Sequence, residues 1–242
     1  MTQSVMRGAE ILAKISQGPR PISVLAEEFG VHRTTMYREL KSLEEAGFLR
    51  RGANGDYRLG MRLISLAQAA LEQIDVRDAA RSTIEALHAK VGGTVHVAAL
   101  MDHAIVYVDK REDSRGIRLY SQVGRPVIPY CTASGKAILS RLSPDARDRI
   151  LADVTWRAYT ATTLTSRRRL DEQLEIIARQ GWAIDDGEFE SFVTCLAVPI
   201  VASHGVVGAL SITTGRDAEA VAALQRHRPA LTAAAARIGS TL

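Results

Sequence analysis

Cysteine is nearly absent from this chain. Its 242 residues include only Cys131 and Cys195, far apart and outside any C-x-x-C pair. That excludes a disulfide framework and fits a reducing compartment, so a cytoplasmic protein is expected. Long apolar runs are also missing. The longest, such as the stretch from Cys195 to Ala202, are too short to cross a bilayer, and no membrane partner is expected. The first ten residues lack the apolar core of a signal peptide. Internal repeats and low-complexity segments are absent. Charge of one sign is not in great excess: the net charge is +4, so its distribution says more than its total.

Catalytic and metal motifs are missing as well. Ser134-Gly135-Lys136 looks like part of a phosphate loop. A Walker loop, however, needs Gly where Tyr130 stands and Ser or Thr where Ala137 stands. No Gly-x-Ser-x-Gly elbow, His-Glu-x-x-His helix or paired cysteine motif occurs. His96 and His103, with Cys131 or Cys195, match no zinc spacing. Neither a cofactor nor a metal is expected.

What is present has the balance of a globular protein: 46% hydrophobic and 24% charged residues. Near the N-terminus Val5, Ala9, Leu12 and Ile15 recur at helical spacing until Gly18-Pro19. A short second helix follows, with Ser23 as its cap, Val24, Leu25 and Phe29 as apolar residues and Gly30 at its end. The third helix spans about His32 to Ala46. Met36, Leu40 and Leu43 share its buried stripe, and Thr34, Tyr37, Arg38 and Lys41 lie opposite, with Arg33 and Thr35 at the N-terminal end. Two helices around a tight turn make a helix-turn-helix. Hydroxyls, a phenol and cations on the exposed face suit phosphate oxygens and base edges. An ordinary solvated helix face would look similar.

The next residues decide between those readings. Phe48 to Arg51 and Asp56 to Leu59 read as strands around a turn containing Asn54-Gly55, a strong hairpin signal. A basic hairpin after a recognition helix is a wing, and Arg50, Arg51 and Arg58 could reach phosphates or a minor groove. Residues 1–60 therefore read as a winged helix-turn-helix. Residues 61–76 read as one uninterrupted linker helix, with Leu59, Leu63, Leu66 and Ala70 in its stripe and Ile64, Leu71 and Ile74 widening it. That stripe packs either within its own chain or on a partner's copy. Dimerisation is favoured because a two-fold dimer matches half-sites about 34 Å apart.

Residues 77–242 read as a mixed domain. A helix covers Arg77 to Lys90, and strands cover Thr94 to Leu100, Ile105 to Lys110 and Arg118 to Ser121. Helices follow at Lys136 to Leu142, from Ser143-Pro144 and from Ser166 to Gln180. A hairpin turns at Ser203-His204-Gly205, and a last helix is interrupted at Pro229. The fold class is α+β with two domains and a mainly antiparallel sheet flanked by helices.

The whole chain resembles the IclR family of transcription regulators. The resemblance rests on residues 30–38 (Gly-Val-His-Arg-Thr-Thr-Met-Tyr-Arg) and on Tyr57-Arg58-Leu59-Gly60. It continues in Tyr107-Val108-Asp109-Lys110, in residues 131–137 (Cys-Thr-Ala-Ser-Gly-Lys-Ala), in Gly181-Trp182-Ala183-Ile184-Asp185-Asp186, and in the strands holding Cys195 and Ser211. It implies a GAF-like second domain that binds a small effector, often an organic acid, and homodimers that often pair into tetramers. It also implies an effector site at the backbone of Ala133 and Ser134 and the side chains of Asp185, Cys195, Ser211 and Thr213, with apolar walls from Leu119 and Val127. The residues agree: amides at a helix N-terminus favour a carboxylate, and Ser211 and Thr213 share one strand face. Where the family usually shows a Gly-Val-Arg-like step, this chain has Phe192-Val193-Thr194, which puts Phe192 at the pocket as an aromatic wall. The wing turn is about one residue shorter than usual.

The expectation is a sequence-specific regulator that binds a double-stranded operator. It would repress a catabolic operon under the control of a small organic acid. The alternatives are an activator of the same architecture and, behind it, an enzyme with a DNA-binding appendage.

Overall fold

The structure, a computed structural model, describes residues 3–112 and 121–242. The chain divides into two compact units, Met1–Gln73 and Ile74–Leu242.

The first unit contains α1 (Gln3–Ser16), α2 (Ile22–Glu28), α3 (Arg33–Glu45), β1 (Leu49–Arg51), β2 (Tyr57–Leu59) and α4 (Arg62–Glu72). Ile11, Ile15, Leu25, Ala26, Met36, Leu40, Leu49 and Tyr57 form its core. The buried face of α1 differs from the expected one. Ile11 and Ile15 are buried, whereas Val5 is 70% exposed. Gly8 on α1 faces Leu43 of α3, where an added Cβ would be in ordinary contact at 3.9 Å. Helix α2 starts at Ile22 with Pro21 as its cap, two residues before the expected Ser23. Pro21 has its φ already set near −75° and no N–H to leave unpaired.

The wing closes on the recognition helix through backbone. Gly60 donates its N–H to Phe48 O at 2.7 Å, and a Cβ on Gly60 would stand 2.2 Å from Gly47 O. Arg62, the first residue of α4, donates from Nη1 to Ala46 O at 2.9 Å and lies over the Phe48 ring at 5.3 Å. The first residue of the connector thus holds the C-terminal end of α3. Arg20 pairs with Tyr57 through both backbone groups and extends the hairpin by one bridge.

The connector is not one helix over 61–76. Helix α4 stops at Glu72, Ile74 is extended, and α5 (Asp75–Val91) starts immediately after. Asp75 and Asp78 are the cause. Negative charge opposes the C-terminal end of a helix dipole and favours its N-terminal end, so the acidic pair starts a new helix.

The second unit continues with β3 (Thr94–Met101), β4 (Ala104–Arg111), α6 (Ala133–Leu139), α7 (Pro144–Leu151), α8 (Arg167–Gln180), β5 (Ala183–Asp186), β6 (Val193–Ala202), β7 (Gly205–Gly215) and α9 (Ala220–Gly239). The strands form an antiparallel sheet in the order β4-β3-β7-β6-β5. Strand alternation sorts its faces. Val95, Val97, Leu196, Val198, Leu210 and Ile212 pack with α5 and α9, while Ala98, Ala197 and Ala209 pack with α6 and α8. Small residues on that second face let α6 lie close to the sheet.

Most of the strand expected over Arg118 to Ser121 lies outside the described residues. Helix α6 begins at Ala133, one turn before the expected Lys136, because Thr132 caps it by accepting from the Gly135 N–H at 3.2 Å. Helix α9 runs through Pro229 without interruption. Pro229 and Gln225, whose carbonyl loses its helical partner, both face solvent, where water satisfies the carbonyl.

Gly60→Ala should destabilise the first unit by about 1–3 kcal/mol through overpacking, and urea unfolding would measure it. A midpoint equal to the parent's would show that the Gly60–Gly47 approach is dispensable.

Candidate nucleic-acid interface and effector cavity

The basic face is built by α3 and the wing. His32 caps α3, its Nδ1 accepting from the Thr34 N–H at 3.4 Å. Met36 and Leu40 anchor the inner face with no exposed surface, and Leu43 is half-buried. Arg33, Thr34, Thr35, Tyr37, Arg38 and Lys41 are all exposed on the helix. Arg50, Arg51 and Arg58 are exposed on the wing, and Arg50 and Arg58 are register partners. Among the described residues the only carboxylate ion-paired to this set is Glu45, which sits 3.7 Å from Lys41. The arginines are therefore available to phosphates, and long-range attraction acts before contact.

The second site is a cavity on the α6 face of the sheet. Two rows of register partners build it. Asp185 pairs with Cys195, which pairs with Thr213; Ala197 pairs with Ser211, which pairs with His96. Above them stands the start of α6. Ser134 Oγ donates to Ser211 Oγ at 3.1 Å, and Thr213 Oγ1 donates to Cys195 Sγ at 3.1 Å. Ser121 Oγ and His96 Nε2 share a hydrogen bond of 2.6 Å, and the His96 ring tilts against Tyr107 at 5.4 Å. Among the described residues the amides of Ala133 and Ser134 have no backbone or side-chain partner, and both residues line the cavity. The space enclosed is about 30 Å³, room for roughly one water molecule.

Burial sets the charges here. It pushes His96 down to about 3, with Lys110 adding repulsion, so the imidazole is neutral. It pushes Asp185 up to about 7, and the neighbouring Glu188 carboxylate pushes in the same direction. Burial raises the Tyr107 phenol and the Cys131 and Cys195 thiols, so all three keep their protons and neither thiol is a nucleophile. Beneath the cavity Lys136, wholly buried, donates to Glu188 and to Gln173 Oε1 at 3.1 Å. Glu188 N–H donates in turn to Asp185 Oδ1 at 2.7 Å.

Comparison with known proteins identifies both units. Residues 68–240 match the model of the bacterial transcriptional regulator IclR C-terminal domain, and residues 4–53 match the IclR helix-turn-helix domain. The chain belongs to the IclR family. It is a DNA-binding transcription regulator. The HTH-type transcriptional regulator XynR of Escherichia coli is 31% identical over 216 residues, which are 88% of this chain and 86% of XynR. The crystal structure of the Thermotoga maritima IclR superposes with a TM-score of 0.79 at 29% identity, covering 99% of this chain and 98% of that one. An IclR homologue from Microbacterium hydrocarbonoxydans, solved with 4-hydroxybenzoate, superposes with a TM-score of 0.82 over 98% of both chains. At 22% identity it shares the fold.

In this IclR-family cavity the structure brings together Ala133, Ser134, Asp185, Cys195, Ser211 and Thr213. It does not bring Phe192 there. That ring is 48% exposed, and Phe189 supplies the aromatic wall instead. Phe192 lies in the short loop ahead of β6; Phe189, Glu190 and Val193 around it line the cavity, while its own ring turns outward. Val127 is buried in the core beside the cavity rather than lining it, and Leu119 lies outside the described residues. Sequence reasoning missed His96, Tyr107, Ser121, Thr132, Glu190 and Val193 as lining residues. For His96 the signal was its odd polarity within an apolar strand.

Two outcomes follow from the buried charges. Lys136→Met should cost about 3–5 kcal/mol, because it leaves the Glu188 carboxylate buried and alone; the double variant with Glu188→Leu should recover most of that in urea unfolding. Asp185 sets a pH dependence of the opposite sense to a salt-bridged carboxylate. Its folded value, about 7, lies above the unfolded value near 3.9, so between them the folded state holds a proton the unfolded chain has lost. This contribution to stability is complete at the acidic end of the window and is lost as pH rises toward 7. The melting temperature of Asp185→Asn, relative to the parent, should therefore climb between about pH 4 and about pH 7, the two ends of this window. A flat difference would refute the assignment.

Proposed function

We propose that this regulator is a repressor that grips its operator as a dimer and senses a small organic acid in the cavity. The observation that carries the DNA half is the uniform exposure of Arg33, Thr34, Thr35, Tyr37, Arg38 and Lys41 on one helix, next to the wing arginines. Thr34, Tyr37 and Arg38 would read base edges, and Arg50, Arg51 and Arg58 would hold phosphates or a minor groove. A dimer seated over a promoter occludes it, which is the simplest route to repression. DNA reading belongs to residues 1–60, coupling to the connector and sensing to the unit beyond.

Helix α4 supports the dimer. None of its residues is buried, with Ile64 at 62% and Leu66 at 47% exposure. An apolar stripe left uncovered in the single chain is covered by a second copy at low cost, and a two-fold axis matches paired half-sites. Two such dimers could pair into a tetramer.

The cavity supports the sensor. Free amides at Ala133 and Ser134 suit a carboxylate, while Ser211, Thr213 and Tyr107 offer hydroxyls and Asp185 accepts from a ligand donor. The 4-hydroxybenzoate held by the Microbacterium homologue has this combination of carboxylate and hydroxyl. A space of about 30 Å³ cannot take such an acid without its walls parting, so binding and conformational change are one event. That event biases the two DNA-reading units of the dimer between arrangements, and coupling is reciprocal. The reading assigns no catalysis and places the protein in the cytoplasm. Among the described residues no helix is long and apolar enough to cross a membrane.

Arg38→Ala and Arg33→Ala should weaken binding to operator DNA selected from a random duplex pool. Arg51→Ala should weaken binding to all sequences and lower the salt slope by about one. Unchanged affinity in all three would sink the interface. A thermal-shift screen of small carboxylic acids should give stabilising ligands whose effect Ser211→Ala abolishes while DNA binding persists. Equal acid affinity with and without operator would show that the two sites are uncoupled.

A further inference from the structure

A groove elsewhere on the second unit is far larger than the cavity. It encloses about 600 Å³, within the roughly 300–1,000 Å³ usual for small-molecule sites. The C-terminal ends of α8 and α9 flank it, with the edge of β6 between them. There β5 pairs with β6 only as far as Ala183 and Ala197, and the end of α9 closes on the strand beyond, a Cβ on Gly239 standing 2.1 Å from Val201 O. Beyond this point β6 presents Val201, 49% exposed, as an apolar floor. Trp182 forms one wall and is only partly buried.

Among the described residues several arginines of this unit, Arg149, Arg179 and Arg226 among them, have no carboxylate partner, whereas Arg167, Arg168 and Arg216 are each paired. Among the described residues Arg141 and Arg228 have no such partner, and both line the groove. The Arg228 guanidinium lies 5.8 Å from the Trp182 ring centroid, and Arg141 Nη2 lies 3.7 Å from where a Cβ on Gly181 would stand. The helix ends work against them: α8 ends at Gln180 and α9 at Gly239, and each C-terminus carries about half a negative charge. Two whole guanidinium charges exceed two half charges by about one. The surplus suits a monoanion rather than a doubly charged phosphate. The flat indole with a cation above it suits a ring, and the apolar floor suits a ligand with little polar surface beyond one charged group.

We infer that this groove is a second ligand site, taking a small ring-bearing monocarboxylate whose ring packs on Trp182 and whose carboxylate meets Arg141 or Arg228. The inference does not rest on an occupied effector cavity, and its failure would leave that reading intact.

The probe is 4-fluorobenzoate, titrated into the full chain and followed by fluorine NMR line broadening. Tryptophan fluorescence of a Trp156→Phe variant, in which Trp182 is the sole reporter, is followed in parallel. Saturable broadening should occur, with matching quenching of Trp182. The double variant Arg141→Ala/Arg228→Ala, at two exposed positions, should weaken binding about tenfold or more, while the cavity variant Ser211→Ala leaves it unchanged. Saturable binding lost in Ser211→Ala but kept in the arginine double variant would assign the probe to the cavity and overturn the inference. Absence of saturable binding to the parent chain would overturn it too. If Trp156→Phe does not fold, the NMR titration of the parent and the arginine variant still decides the matter.

Discussion

The buried ion pair between Lys136 and Glu188 is the constraint on which the second unit depends. Lys136 sits on α6, and Glu188 sits in the turn after β5, so the pair ties the helix to the edge of the sheet. Glu188 also bonds Asp185 through its own N–H. One charge contact thereby places both the amides at the start of α6 and the carboxylate on β5. An apolar pair of the same volume could hold the helix as firmly, since buried ion pairs seldom add stability. What a charged pair adds is a defined position, because a displaced ammonium would be left buried without its counter-charge.

The DNA-reading unit depends on closeness of a different kind. Gly60 and Gly47 bring two backbone segments together at a distance no side chain permits. Arg62 then joins the start of the connector to the last carbonyls of the recognition helix. The base of the wing and Arg62 thus join α4 to the end of α3 within the first unit.

Much of this was visible in the sequence. The recognition helix was found because its two faces differ sharply, with Met36 and Leu40 opposite Arg38 and Lys41. The wing was found from Asn54-Gly55. These features are local, and the spacing of a few residues specifies them. The break at Ile74 was missed because neither Gly nor Pro marks it; only the electrostatics of Asp75 and Asp78 do. Pro229 misled in the other direction, since a proline on a solvated face removes one hydrogen bond that water replaces. Phe192 misled because adjacency to Cys195 in sequence is not adjacency in space.

By itself the sequence determined the helix-turn-helix, the wing, most of the strands and helices of the second unit and the polar character of Ser211, Thr213 and Asp185. Each of these is a property of neighbours along the chain. Only the tertiary structure decided which polar residues meet. His96 stands beside Ser211, and Asp185 lines up through Cys195 with Thr213, because five antiparallel strands settle into one register. Register is chosen by the apolar residues on the opposite face, which pack against α5 and α9. A slip of one residue would turn every one of these polar groups away from the cavity.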